Sequence, residues 1–259
     1  MSSRIKVIHG MKIYKLNKAV ISIRNNPSQF LNGLTANTLD KPKNAFLDVH
    51  GKIIATFDQL KINDDEFFIV LERPLAETVL KHLERFAKLN KVVIQEKDLK
   101  VYFDLDGTYK NFNFRHSEER SDEESQRKEI LRFAQNDERE FLIPQKCGQL
   151  VISPKDLENT ISEEEFTLFR LRNNIPIHGI DYQNEMLLNV DEHEYISFTK
   201  GCFLGQELVA KVHNRSKPTW KLVVKYEDDR SREQRQEMTS RMMDPATNRI
   251  FGFAFVKNM

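Results

Sequence analysis

The sequence predicts an α+β protein, and three observations lead there. Short apolar runs of strand length alternate with turn clusters over the first hundred residues, one well-formed amphipathic helix follows them, and further strand-like runs lie near residues 141–153 and 220–256. At 259 residues the chain can bury a compact core, and its length allows one to three domains.

Val20, Ile21 and Ile23, with Ser22 and Arg24, read as a strand. Asn25-Asn26-Pro27-Ser28 is a turn that can cap a short helix running through Asn37. Ala45–Val49 and Ile53–Phe57 flank His50-Gly51-Lys52, and Glu66–Leu71 follows the turn Asn63-Asp64-Asp65, which predicts three antiparallel strands. From Pro74 to Asn90, Leu75, Val79, Leu80, Leu83 and Phe86 recur at helical spacing, with Lys81, Glu84 and Arg85 between them. His82 has no second metal-type ligand one turn away and reads as a surface residue. Lys91–Ile94 begins the next strand.

Residues 115–140 change character abruptly to a charged segment that cannot bury much apolar surface, and they read as solvated helix or disordered chain. The segment resembles translated palindromic repeat elements, which implies a tolerated surface insertion. Phe141–Pro144 and Gln149–Ser153 are then strands, with Cys147 and Gly148 at their turn and Cys147 structural. Ser162 can cap a helix to which Glu165 replies, with Phe166, Phe169 and Leu171 beyond and an end before Pro176. In the last stretch Trp220–Tyr226 and Ile250–Val256 are strands, while the charged, Met-containing Asp228–Arg241 reads as an inserted or degraded piece. Two strands do not close a barrel.

Net charge is +1, so no global field draws the chain to nucleic acid or an anionic membrane. No apolar run approaches the roughly 20 residues that span a bilayer, and Met1–Lys6 lacks an apolar signal core, so a cytoplasmic protein is expected. Cys147 and Cys202 make neither a disulfide framework nor a zinc site, and two cysteines are too few to hold an iron-sulfur cluster alone.

The densest chemistry lies at residues 200–207, Lys-Gly-Cys-Phe-Leu-Gly-Gln-Glu. Gly201 and Gly205 let the backbone turn tightly on either side of Cys202 and present its thiol. Lys200, two residues before it, and a helix starting near Gly205 would both favour thiolate over thiol. These features make Cys202 a candidate reactive group. The competing reading is a buried cysteine beside a turn, but Lys200, Gln206 and Glu207 do not suit a core strand.

This octet resembles the signature of the YgfZ-type folate-binding proteins, relatives of the glycine cleavage T-protein associated with iron-sulfur cluster maintenance. Lys200, Gly201, Cys202, Phe203, Gly205, Gln206 and Glu207 fill every fixed place of Lys-Gly-Cys-aromatic-x-Gly-Gln-Glu. The similarity runs into Val209–Arg215 and back through Ile196–Thr199, the strand leading in. Arg170–Pro176 resembles the family's Arg-Ile-x-x-Gly-Ile-Pro, with Asn174 in place of the glycine, and Phe30–Asn37 and His50–Ala55 resemble its entry motif and hairpin.

The resemblance implies three lobes with mixed or antiparallel sheets around a central folate cavity. Residues 1–114 and 141–199 would form interleaved folate-binding lobes, 115–140 an insertion, and 200–259 the octet with a shortened C-terminal β-barrel. It implies tetrahydrofolate or a one-carbon derivative as cofactor, and an accessory role in assembly or repair of iron-sulfur client enzymes, including tRNA-modifying ones. A flat pterin needs an aromatic face, partners for its polar edge and cations for its glutamate tail. The resemblance puts Phe166 in the stacking place, with Arg170, Arg172, Asp181 and Asn37 as polar candidates, although Arg172 stands where relatives often carry an acid. Aminomethyl transfer, the T-protein reaction, ranks second: it needs a carboxylate after the Gly51 hairpin, where this chain has Ala55 and Thr56, with Asp58 two or three places late. A tRNA-binding module built on Lys211, His213, Arg215, Lys217 and Trp220 ranks third, because those residues read as a solvated strand edge.

Overall fold

The computed structural model describes residues 10–110, 139–191, 193–215 and 217–258. The chain divides into two compact units, one made of Met1–Leu16 and Asp98–Thr160, the other of Asn17–Lys97 and Ile161–Met259. The boundaries thus fall inside the first hundred residues and near Thr160, and most of the charged segment 115–140 lies outside the described residues.

The smaller unit is a four-stranded antiparallel sheet of β1 (Ile13–Leu16), β7 (Lys100–Asp104), β9 (Gln149–Ser153) and β8 (Phe141–Pro144), in that order. Ile13, Tyr102, Val151 and Leu157 form its core. Cys147 lies in the β8–β9 turn, where the Gln145 amide donates to the Gly148 carbonyl.

The larger unit contains a five-stranded sheet in the order β3 (Lys43–Leu47), β4 (Ile53–Asn63), β5 (Glu66–Glu72), β2 (Lys18–Arg24) and β6 (Val93–Lys97). Every ladder in the protein is antiparallel among the described strands. Because side chains alternate across a strand, Ala55 and Phe57 face one side while Thr56 and Asp58 face the other. The first side packs with Ile21, Ile23, Phe67 and Ile69 under α1 (Pro27–Asn32) and α2 (Ala76–Asn90). His82 corrects a sequence expectation here: it lies on the buried stripe of α2, tilted against Phe46 and edge-on to Phe86 with ring centroids 5.6 and 5.7 Å away. Its Nε2 has no hydrogen-bond partner among the described residues, and burial, then the Arg85 charge, holds its pKa below the ordinary value.

The second side of the sheet, through Ala45 and Leu47, joins a core shared with α3 (Glu163–Arg172), α4 (Leu187–Val190), α5 (Gln206–Arg215) and a C-terminal sheet. That sheet is β10 (Trp220–Tyr226), β12 (Arg249–Lys257) and β11 (Thr239–Asp244), three strands in place of the shortened barrel. Residues 228–241 are therefore not merely an insertion: after α6 (Arg232–Gln236) they supply the start of β11. A register shift between Thr239 and Met242, with Ser240 at φ 49, breaks the two-residue period that would have exposed this strand in the sequence.

Three local expectations also change. Helix α1 stops at Asn32, since Ala36 donates instead to the Ala45 carbonyl and draws residues 33–37 to the sheet. Ile196–Thr199 is not a strand but a bent segment whose Ser197 amide donates to the Ala36 carbonyl. Lys211, His213 and Arg215 project from helix α5, not from a strand edge. The Ser162 capping box forms as expected, with the Ser162 hydroxyl accepting from the Glu165 amide at 3.2 Å and the Glu165 carboxylate accepting from the Ser162 amide at 2.9 Å. Asn174, which replaces the motif's glycine, adopts φ 52, a left-handed conformation that Asn tolerates better than most residues.

Candidate functional site

The octet forms an arc between the bent segment and α5. Cys202 and Gly201 are exposed, whereas Phe203 is buried. Two glycines lock the arc to the β3–β4 hairpin: Gly205 has φ +82, and a Cβ there would lie 2.3 Å from the Asp48 carbonyl oxygen. Gly51, at φ +72 in the hairpin, leaves room for Val209, whose Cγ2 would be 2.8 Å from an added Cβ. Glu207 sits in the first turn of α5, where a carboxylate suits the helix dipole, and the Gln206 amide closes onto the Phe203 carbonyl at 3.2 Å.

The hydrogen bonds of Lys200 run to backbone, not to Cys202. Its three ammonium hydrogens go to the backbone carbonyls of Asn32, Thr35 and Asn37, at 3.0, 2.6 and 3.0 Å, leaving none for the thiol. Nζ also lies 5.4 Å from the centre of the Phe203 ring. Burial pushes the ammonium down to about 8, a push that the three carbonyls oppose by favouring the charged form.

The folate candidates fall into separate places. Phe166, Arg170 and Asp181 are buried together: the Arg170 guanidinium pairs with the Asp181 carboxylate at 2.8 Å and stands 6.0 Å from the Phe166 ring centre. Arg170 also donates to Ser240 Oγ and the Ile175 carbonyl, and Asp181 accepts from Ser240, Thr239 and the Ile177 amide. This is a structural joint between α3 and β11, held by these bonds. The neighbouring Arg172 side chain is half exposed and pairs with Asp244 at 3.1 Å. Asn37 is buried in an amide network, its Nδ2 donating to the Lys43 and Glu194 carbonyls and its amide donating to Asn44.

A second polar group was missed from the sequence. On the Thr56 face of the five-stranded sheet, Lys18 pairs with Glu72 at 2.9 Å and Asp58 at 3.4 Å, while Lys43 stands opposite Asp58 and pairs with Glu194 at 2.5 Å. Burial works against the charge on Lys18, but Glu72 and Asp58 outweigh it and hold its pKa above the ordinary value. Thr56 Oγ1 lies 2.6 Å from the Tyr182 hydroxyl, and the Thr56 amide donates to His178 Nδ1 at 3.3 Å. That bond fixes His178 as a neutral imidazole with its proton on Nε2, and the ring stacks on Tyr182 at 5.0 Å. The available signal was two polar residues, Thr56 and Asp58, spaced two apart in the otherwise apolar first half of β4. Asp58, two places after Thr56, points to the same side of the sheet.

Burial, with Lys18 adding to it, depresses the His178 pKa from 6.5 to about 4. The folded state therefore binds this proton less readily than the unfolded chain. Stability attributable to His178 is full above 6.5 and is lost as pH falls toward 4, by about 3 kcal/mol in total. Urea midpoints measured across that range should fall more steeply for the native chain than for His178→Gln; equal slopes would contradict the assignment.

Among the described residues, no group of three or more His, Cys, Asp or Glu side chains could hold a metal ion, and no helix is long and apolar enough to cross a membrane. No family model matches the chain. It is 27% identical over 179 residues to the tRNA-modifying protein YgfZ of Buchnera aphidicola subsp. Schizaphis graminum, covering 65% of this chain and 56% of that protein. It is 25% identical over 263 residues to the mitochondrial iron-sulfur cluster assembly factor IBA57 homolog of Dictyostelium discoideum, covering 80% and 62%. The chain is a relative of these two proteins.

It spans less than two thirds of the length of either curated protein. The glycine cleavage system aminomethyltransferase T from Bartonella henselae matches 95% of this chain and 78% of its own length with a TM-score of 0.66 at 11% identity, a likeness of fold.

Proposed function

We propose that this chain is a folate-dependent accessory protein that supports assembly or repair of iron-sulfur enzymes, tRNA-modifying ones among them. The observation that carries the reading is Cys202, exposed on an arc whose two ends are fastened and whose Phe203 is buried. An exposed thiol held on a fixed backbone suits transient exchange with a partner thiol or a single-ligand contact to a cluster held elsewhere.

For the folate, the donor set on the Thr56 face fits the chemistry. Asp58 and Glu72, paired with Lys18 in the free chain, are carboxylates that can exchange that partner for a donor-rich heterocycle edge, the His178 and Tyr182 rings are flat, and Lys18 and Lys43, the latter paired with Glu194, are cations that an acidic tail can engage. A bound folate supplies one-carbon chemistry or a reduced pterin; the chain's own part is to orient it and neutralise its charge. In this reading Phe166, Arg170 and Asp181 hold one another without touching the ligand, while Asn37 ties Lys43 and Glu194 to the Cys202 arc through Lys200.

Calorimetric titration with tetrahydrofolate and its one-carbon derivatives tests the ligand: Asp58→Asn should weaken binding about ten-fold or more, in line with one lost charge-assisted hydrogen bond. Cys202→Ala should leave that affinity unchanged and fail to support iron-sulfur enzymes in a strain lacking the protein. Full restoration by Cys202→Ala would remove the thiol from the function.

A further inference from the structure

We propose that Lys200 is a positioning residue: its ammonium staples the Cys202 arc to the segment 33–37, and it serves the thiol by fixing where it stands, not by lending it charge. The functional consequence rests on the reading of Cys202 as the working thiol; the geometry does not.

An ammonium has three hydrogens, and here three carbonyls, those of Asn32, Thr35 and Asn37, converge on it, with the Thr35 hydroxyl at 3.4 Å. No carboxylate takes part in these bonds. The acceptors are the last residue of α1 and the turn that follows it; the Asn32 carbonyl is one that a helix end leaves without an internal donor, and the Asn37 carbonyl also accepts from Asn44 Nδ2 at 3.0 Å. On the arc's other flank the Leu204 amide donates to the Gly33 carbonyl at 3.3 Å, and before it the Ser197 amide donates to the Ala36 carbonyl at 3.0 Å. Gly201, Cys202 and Phe203 are thus strung between two anchors on the same five-residue segment. Phe203 fills the space beneath, under the Lys200 stem. Asn37 carries the tie further, because the same residue whose carbonyl accepts from Lys200 is bound through its side chain to Lys43 and Glu194.

A guanidinium cannot replace this arrangement, since its donors lie in one plane as a fork and do not converge on three oxygens from a single nitrogen. Lys200→Arg should consequently behave like Lys200→Met.

The test compares native protein, Lys200→Met and Lys200→Arg by two readouts. Peptide-resolved amide exchange should quicken by about ten-fold or more over residues 201–204 and 33–37 in both variants, with the remainder of the larger unit unchanged. The pH at which iodoacetamide alkylation of Cys202 is half-maximal should stay within about 0.3 unit of native in both variants, because the ammonium bonds carbonyls and not the thiol. A rise of about one unit in that pH with exchange unaltered would overturn the proposal and restore Lys200 as an electrostatic activator. If a variant does not fold, native protein alone decides: Ser197 and Leu204 amides exchanging as fast as free chain would likewise overturn it. Neither readout involves folate or a client enzyme, so failure of the accessory-factor reading leaves this result standing.

Discussion

Asp181→Ala is expected to destabilise the larger unit by about 3–5 kcal/mol, the cost of breaking a buried pair from one side. The Asp181 carboxylate is sealed from solvent, and the Arg170 side chain is 4% exposed. Removing the acid leaves a guanidinium without its counter-charge, and that guanidinium already carries an Nε with no hydrogen-bond partner among the described residues. Ser240, Thr239 and the Ile177 amide lose their acceptor in the same step. The double replacement Arg170→Met with Asp181→Leu should recover most of the loss, since it removes both charges. Urea unfolding with an unchanged m-value checks both. A variant that kept native stability but lost tetrahydrofolate binding would return Asp181 to the ligand site.

Gly205→Ala should cost about 3 kcal/mol or more, combining a strained backbone with an overlap. The added methyl would sit 2.3 Å from the Asp48 carbonyl oxygen and 3.2 Å from Leu47 Cβ, and neither is the far end of a flexible chain. Relief requires the hairpin to move away from α5, which would take the Cys202 arc with it. Gly201→Ala is the control: nothing lies within 4 Å of a Cβ there, so thermal midpoint and Cys202 alkylation should stay near native. Equal effects at the two glycines would mean that the hairpin does not hold the arc.

Much of the fold was legible because single elements carry their own signals. The apolar runs of β2, β4 and β5, the helical spacing of α2 and the Ser162 capping box each follow from a few neighbouring residues. β11 was not legible, because its bulge interrupts alternation and its partner strand supplies the pairing. His82 was misread for a related reason: at the edge of an apolar stripe only the packed partner, here Phe46 from β3, decides which way a helix turns its flank.

The candidate site divides along the same line. The octet named Cys202, and its glycines implied a close approach, because a missing Cβ and a presented thiol are properties of the residues themselves. What Lys200 does, that Arg170 and Asp181 hold each other, and that Thr56, Asp58 and His178 meet are tertiary facts. A charge or a carbonyl takes its role from whichever group folding brings within about 3 Å of it, and those groups come from segments as distant in sequence as Thr35 and Lys200. The sequence by itself determined which residues could do chemistry here; only the packed chain decided which of them are spent on holding it together.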